Sequence, residues 1–229
     1  MEANQKPTIV FVHGLWADGS SWNAVIEPLQ DAGYTVVSVQ NPTTSFDDDV
    51  TATRRALARI EGPVVLVGHS WGGFVITEAG NDPRVKALVY VAAFAPDAGE
   101  SLIDLLSKVP QNALGSHFDV ADGFIKLTFE GVQQSFAGDL SEPEQRLIFA
   151  TQTPASETVF GAKNTIQAWK DRPSFYIVAR QDGAIPPDLE RMMASHIGAK
   201  TIEIDSSHVP MISQPEEVLD VILEAAEIE

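Results

Sequence analysis

The chain has 229 residues, 44% of them hydrophobic and none of them cysteine, and it carries a formal net charge of −17. That length holds one large domain or one domain with an insertion. The missing cysteines exclude disulfides, thiolate catalysis and cysteine–zinc sites, and the acidic charge repels nucleic acid and anionic membrane surfaces.

The opening MEANQKP shows no basic n-region, apolar h-region and cleavage site in series, so no secretory signal is read there. TIVFVH (8–13), bounded by Pro7 and Gly14, reads as a buried strand. Residues 20–33 read as a helix capped by serine and ended by Gly33, with a kink at Pro28. YTVVSVQ (34–40) is the next strand. Residues 45–62 form a stronger helix. Ser45 caps it, Asp47, Asp48 and Asp49 sit in its positive first turn, and Val50, Thr53, Leu57 and Ile60 form its inward stripe. PVVLVGH (63–69) is a strand followed by a helix over 71–80, and VKALVYVAAF (85–94) is a strand apolar on both faces. Two further strands, SFYIVAR (174–180) and KTIEID (200–205), are followed by helices at 187–197 and 215–227, the latter opened by Pro215.

Six strands alternating with helices, apolar on both faces, predict an α/β fold with a six-stranded, mostly parallel sheet covered by helices on both sides. No apolar run approaches the roughly 20 residues of a membrane span. Residues 95–170 break the rhythm. They contain helical-looking pieces at 101–109, 123–137 and 141–152, so a small helical cap inserted after the fourth strand is expected. The expected division is a core of 1–94 and 171–229 around a cap of 95–170.

Gly68, His69, Ser70, Trp71 and Gly72 spell G-x-S-x-G between a β-branched strand and a helix. A serine lifted on so tight a turn needs small residues two before and two after it, and the helix N-terminus beneath favours developing negative charge. A serine hydroxyl also needs a base, and the base needs an orienting group. Of five histidines, His13 and His69 lie in strand-end motifs, His117 in the cap region and His196 at a helix end. His208 follows the last strand, where it can reach over the sheet edge. Asp182, just beyond the strand at 174–180, completes the order Ser70, Asp182, His208 expected of such an elbow. Asp205, three residues from His208, is a rival acid, and Asp188 a more remote one. For the oxyanion, two N–H donors are needed. They are expected at Trp71, after the nucleophile, and at Leu15, in the loop after the first strand that His13 can brace. Trp16 is expected to line the substrate site, and Trp22 to belong to the core.

With those residues placed, HGLWADGSSW, GHSWGG, QDGAIPP and SSHVPMISQPEEV in order make the sequence resemble the α/β-hydrolase fold superfamily, especially its small bacterial esterase-type members. The resemblance implies strand order 2-1-3-4-5-6, which makes the first and third strands neighbours at a topological switch point. It implies a serine hydrolase that cleaves small, rather apolar carboxylic esters or lactones through an acyl-enzyme on Ser70, without cofactor or metal. The fold also hosts other chemistry. Plant-type hydroxynitrile lyases resembling it carry threonine where Gly14 sits and lysine where Val209 stands, which disfavours a lyase. A cofactor-free dioxygenase, a perhydrolase and a non-enzymatic small-ligand receptor that kept the triad are the other readings. The expected molecule is a cytoplasmic monomer or homodimer whose partner is a small-molecule substrate.

Overall fold

The computed structural model describes residues 5–110 and 112–228. β1 (Thr8–Val12), β2 (Val36–Val39), β3 (Val64–His69) and β4 (Val85–Val91) alternate with α1 (Asn23–Asp31), α2 (Phe46–Leu57) and α3 (Trp71–Ala79). The chain then leaves the sheet through α4 (Leu102–Leu106), β5 (Phe118–Ala121), β6 (Phe124–Leu127), α5 (Phe129–Gly131), α6 (Glu142–Thr151) and β7 (Ala155–Ser156). It returns with β8 (Ser174–Ala179), α7 (Pro187–His196), β9 (Lys200–Ile204), α8 (Pro210–Ser213) and α9 (Pro215–Ala226).

The main sheet has six strands in the order β2-β1-β3-β4-β8-β9, and every neighbouring pair is parallel. Every residue of β3 and β8 is buried, as expected where helices cover both faces of a parallel sheet. The strand order turns back between β1 and β3. Val12 pairs with Gly68 there, so the loops leaving those two strands open side by side.

Several local expectations shift. The first helical segment is capped by Asp18, whose carboxylate accepts from Ser20 N–H at 2.6 Å, and not by a serine; it begins with a 3₁₀ turn at Gly19–Trp22. Pro28 lies inside α1, and Gly33 ends the segment at φ 80°. β4 stops at Val91, short of the expected 94, because Ala92 takes a left-handed conformation at φ 43°. α2 stops at Leu57, which leaves Ile60 beyond it, half-buried; Asp49 turns inward with Val50 and Thr53.

The largest difference lies between β4 and β8. α4 and α6 form where helices are expected, yet β5, β6 and β7 make a three-stranded antiparallel sheet. The segment 123–137 is therefore not one helix. Asp122 at φ 52° and Gly123 at φ 76° form a two-residue turn between Ala121 and Phe124, which face each other across the hairpin. Only after Thr128 does the chain become helical, first as α5 and then as a wider π-type turn over Val132–Phe136. Among the described residues, no helix is long and apolar enough to cross a membrane.

Candidate active site

β3 ends at His69, and Ser70 turns the chain into α3 at φ 53°, ψ −120°. A side-chain-bearing residue held there costs on the order of 1–3 kcal/mol, so the surroundings must enforce it. Ser70 N–H donates to Val91 O at 3.3 Å, and Ser70 O accepts from Gly73 N–H at 3.0 Å and Phe94 N–H at 3.1 Å. A Cβ on Gly68 would lie 2.6 Å from Gly72 O, and one on Gly72 would collide with Val12 O. The small residues flanking Ser70 are thus dictated by backbone passing backbone.

The loop after β1 comes equally close. A Cβ on Gly14 would lie 2.7 Å from Ser70 Cβ. Its shape is fixed by His13. Asn41 N–H donates to His13 Nε2 at 2.9 Å, so the ring proton sits on Nδ1, which donates to Gly14 O at 2.8 Å. Burial pushes the His13 pKa down and keeps the ring neutral. In a trans peptide the carbonyl and the following N–H point opposite ways, so anchoring Gly14 O sets the direction of the Leu15 N–H. Trp16 follows at φ 57°, and its indole donates to Ile125 O of β6 at 3.0 Å.

On the far side, His208 Nδ1 donates to Asp182 Oδ2 at 2.5 Å, and both side chains are buried. Asp182 Oδ1 accepts from the N–H groups of Ala184 at 2.6 Å and Ile185 at 2.8 Å. Three donors converging on one side chain is the arrangement of a carboxylate. The loop carrying His208 is pinned from several sides. His69 Nε2 donates to His208 O at 2.7 Å, Ser207 N–H donates to Asp139 at 2.9 Å, and Gln181 N–H donates to Ser206 O at 3.0 Å. Because a carbonyl only accepts, the His69 proton is on Nε2; burial, with His208 nearby, pushes its pKa well down. The rival acids are elsewhere: Asp205 faces Arg180, and Asp188 faces Arg191. His196 pairs with Asp97 at 2.8 Å.

Ser70 and His208 line one cavity of about 300 Å³ with Leu15, Trp16 and Trp71. Its other walls are mostly apolar and come largely from the insertion, including Leu102, Leu114, Phe118 and Phe160. Trp22 is core, stacked on Phe11 at 4.6 Å. Trp16 packs against Phe118, Phe136 and Phe160, and it also lines a second cavity of about 280 Å³ with Val209, Met211, Leu147 and Ile148.

Two acids beside the site escape sequence reasoning. Asp49 is fully buried and accepts from the Trp71 indole at 2.7 Å and Thr43 N–H at 2.8 Å. Burial raises its pKa to about 6. Glu190 is fully buried beside Asp182 and accepts from Ala179 N–H at 3.0 Å. Each is the fourth residue of its helix, where an acid in sequence reads as a solvated partner of the helix dipole.

A family model described as "Alpha/beta hydrolase family" matches residues 9–221. Methylesterase 7 of Arabidopsis thaliana is 28% identical over 259 aligned positions, covering 99% of each chain. A pyrethroid hydrolase of Sphingobium wenxiniae is 26% identical, covering 96% of this chain and 87% of its own. Among solved structures, polyneuridine aldehyde esterase superposes with a TM-score of 0.84 at 22% identity, covering 97% of this chain and 100% of that one; at that identity the likeness speaks for the fold.

Proposed function

Since the chain belongs to the alpha/beta hydrolase family, we propose that it is a carboxylesterase-type serine hydrolase acting on small, rather apolar carboxylic esters or lactones. The observation that carries this reading is a strained Ser70 sharing a cavity with His208, whose Nδ1 is engaged by Asp182 at 2.5 Å. With Nδ1 donating to Asp182, the lone pair of His208 is on Nε2, the nitrogen that takes a proton from Ser70. Relatives named as a methylesterase and a pyrethroid hydrolase support ester chemistry.

The Ser70 oxygen attacks the ester carbonyl as His208 removes its proton. The tetrahedral oxyanion accepts hydrogen bonds from the N–H groups of Leu15 and Trp71, each donor being worth on the order of 100- to 1,000-fold in rate. His208 returns the proton to the departing alcohol, leaving an acyl group on Ser70. A water deprotonated by His208 then releases the acid and restores the serine. Residues 95–170 act as the cap over the cavity, within a core of 1–94 and 171–229; residues 1–4, 111 and 229 lie outside the described residues. A cavity of about 300 Å³ with apolar walls admits a compact acyl or alcohol group and disfavours charged ones.

The test is turnover of nitrophenyl acetate and butyrate, and of a small lactone, by the parent protein and by Ser70→Ala. Loss of turnover by a factor on the order of 10⁴ or more in the variant is expected, with a fluorophosphonate label on Ser70 in the parent. Unchanged turnover in Ser70→Ala would remove the serine from the chemistry. Tight binding without turnover in the parent would favour a receptor.

A further inference from the structure

The carboxyl group of Glu190 is buried against that of Asp182 at the start of α7, and the mechanism above gives it no part. One of its oxygens, Oε2, accepts from Ala179 N–H at the end of β8 at 3.0 Å. The other, Oε1, is buried with no donor to receive. Beside the carboxyl lies the Asp182 carboxylate, itself holding His208 and two backbone N–H groups.

Two ionised carboxylates packed together out of water repel each other, and neither can donate. A proton on Glu190 removes both problems: the orphaned oxygen becomes a donor, and Asp182 supplies the acceptor. We infer that Glu190 is a positioning residue whose protonated carboxyl group donates a hydrogen bond to Asp182, extending the Ser70–His208–Asp182 line by a fourth member. This rests on the triad reading of the preceding section.

The surroundings favour the neutral form. Asp182 faces Glu190 from the loop after β8, with His208 beyond it, and Tyr176 of β8 is near enough to feel both acids. Tyr176 gives its own hydroxyl proton to Ala93 O. The nearest cation, Arg191, is engaged by Glu203 and Asp188 at 2.9 Å each. Burial and the Asp182 charge, in that order, push the Glu190 pKa well up. Asp182 is thereby held from both ends, by His208 on one side and by Glu190 on the other. The carboxylate cannot swing away from the imidazole while the ring gains and loses its proton.

Two variants separate the alternatives. Glu190→Gln keeps an acceptor for Ala179 N–H and a donor for Asp182 but cannot ionise. Glu190→Leu keeps the bulk and neither bond. In infrared difference spectra near neutral pH, the parent should show the C=O band of a protonated carboxyl group that Glu190→Gln lacks. The unfolded chain ionises this residue and the folded one does not, so the parent should lose stability relative to Glu190→Gln as pH rises. The gap in Tm should widen by several degrees between about pH 5 and about pH 8. In turnover, Glu190→Leu should lose about tenfold in kcat with KM little changed, and glutamine should rescue most of that loss. No carboxyl band and parallel Tm curves would overturn the protonated assignment. A band present but equal kcat in all three proteins would overturn the positioning role. The spectroscopic and thermal results do not depend on Ser70 being the nucleophile, so failure of the triad reading would show separately, as activity surviving in Ser70→Ala.

Discussion

Asp49 sits where a carboxylate is expensive, yet two donors converge on it, the Trp71 indole and Thr43 N–H. Its folded pKa of about 6 lies above the ordinary 3.8 because burial outweighs those bonds. The unfolded chain gives up this proton from about pH 4, whereas the folded chain keeps it to about pH 6. Stability owed to Asp49 is therefore greatest at low pH and falls by up to about 3 kcal/mol as pH rises through that window. Asp49→Asn should flatten that part of the stability–pH curve, as read from urea unfolding at about pH 4, 5, 6 and 7. Identical slopes in the two proteins would mean that Asp49 ionises normally in the fold. The same side chain marks what sequence reading missed. Asp47, Asp48 and Asp49 are three like residues in one turn, and nothing in their order says that only the third faces inward onto a tryptophan twenty-two positions away.

At the level of elements, the β3–α3 turn was almost fully legible. A β-branched strand, two flanking glycines and a serine leave one backbone geometry open, and Ser70 takes it. Gly72→Ala should show how little slack remains. Its methyl group would meet Val12 O and approach His13 O, so a loss of about 3 kcal/mol or more in chemical denaturation is expected. A stable, active alanine variant would mean that β1 and α3 can separate. The six core strands were legible for a related reason, since long apolar runs buried on both faces have few other destinations. The hairpin of β5 and β6 was not. Its strands have four residues each and β5 is mostly exposed, so the apolar positions fit a helix as well as a strand. The Asp122–Gly123 pair was the one local sign of the turn, and it outweighs the helical pattern around it. Glu190 was hidden as Asp49 was, behind the habit of helices to begin with acids.

Across the whole molecule, the insertion is fastened to the core beside the site. Trp16 bonds Ile125 of β6, Ser156 N–H bonds Thr43 O, Asp139 receives Ser207 N–H, and the Asn112 amide donates to Ala184 O at 2.9 Å. Those core partners neighbour Leu15, Asp49, His208 and Asp182 respectively in sequence or contact. The upper wall of the cavity is thereby registered against the groups below it. Trp16 is the shared partition, with about 300 Å³ on one side and about 280 Å³ on the other. Trp16→Ala should join the two spaces. The ratio of kcat/KM for an ester of a bulky alcohol to that of a methyl ester is expected to rise about tenfold or more, at a stability cost of about 3–5 kcal/mol. An unmoved ratio in a folded variant would mean that size selection lies elsewhere.

That partition has a bearing on how such an enzyme changes its diet. In the proposed mechanism the indole takes no part in bond making, so it could shrink or grow by mutation while Ser70, His208 and Asp182 stay where they are. New substrates then become reachable through a single interior wall, and the cost falls on heat resistance, leaving the chemistry intact.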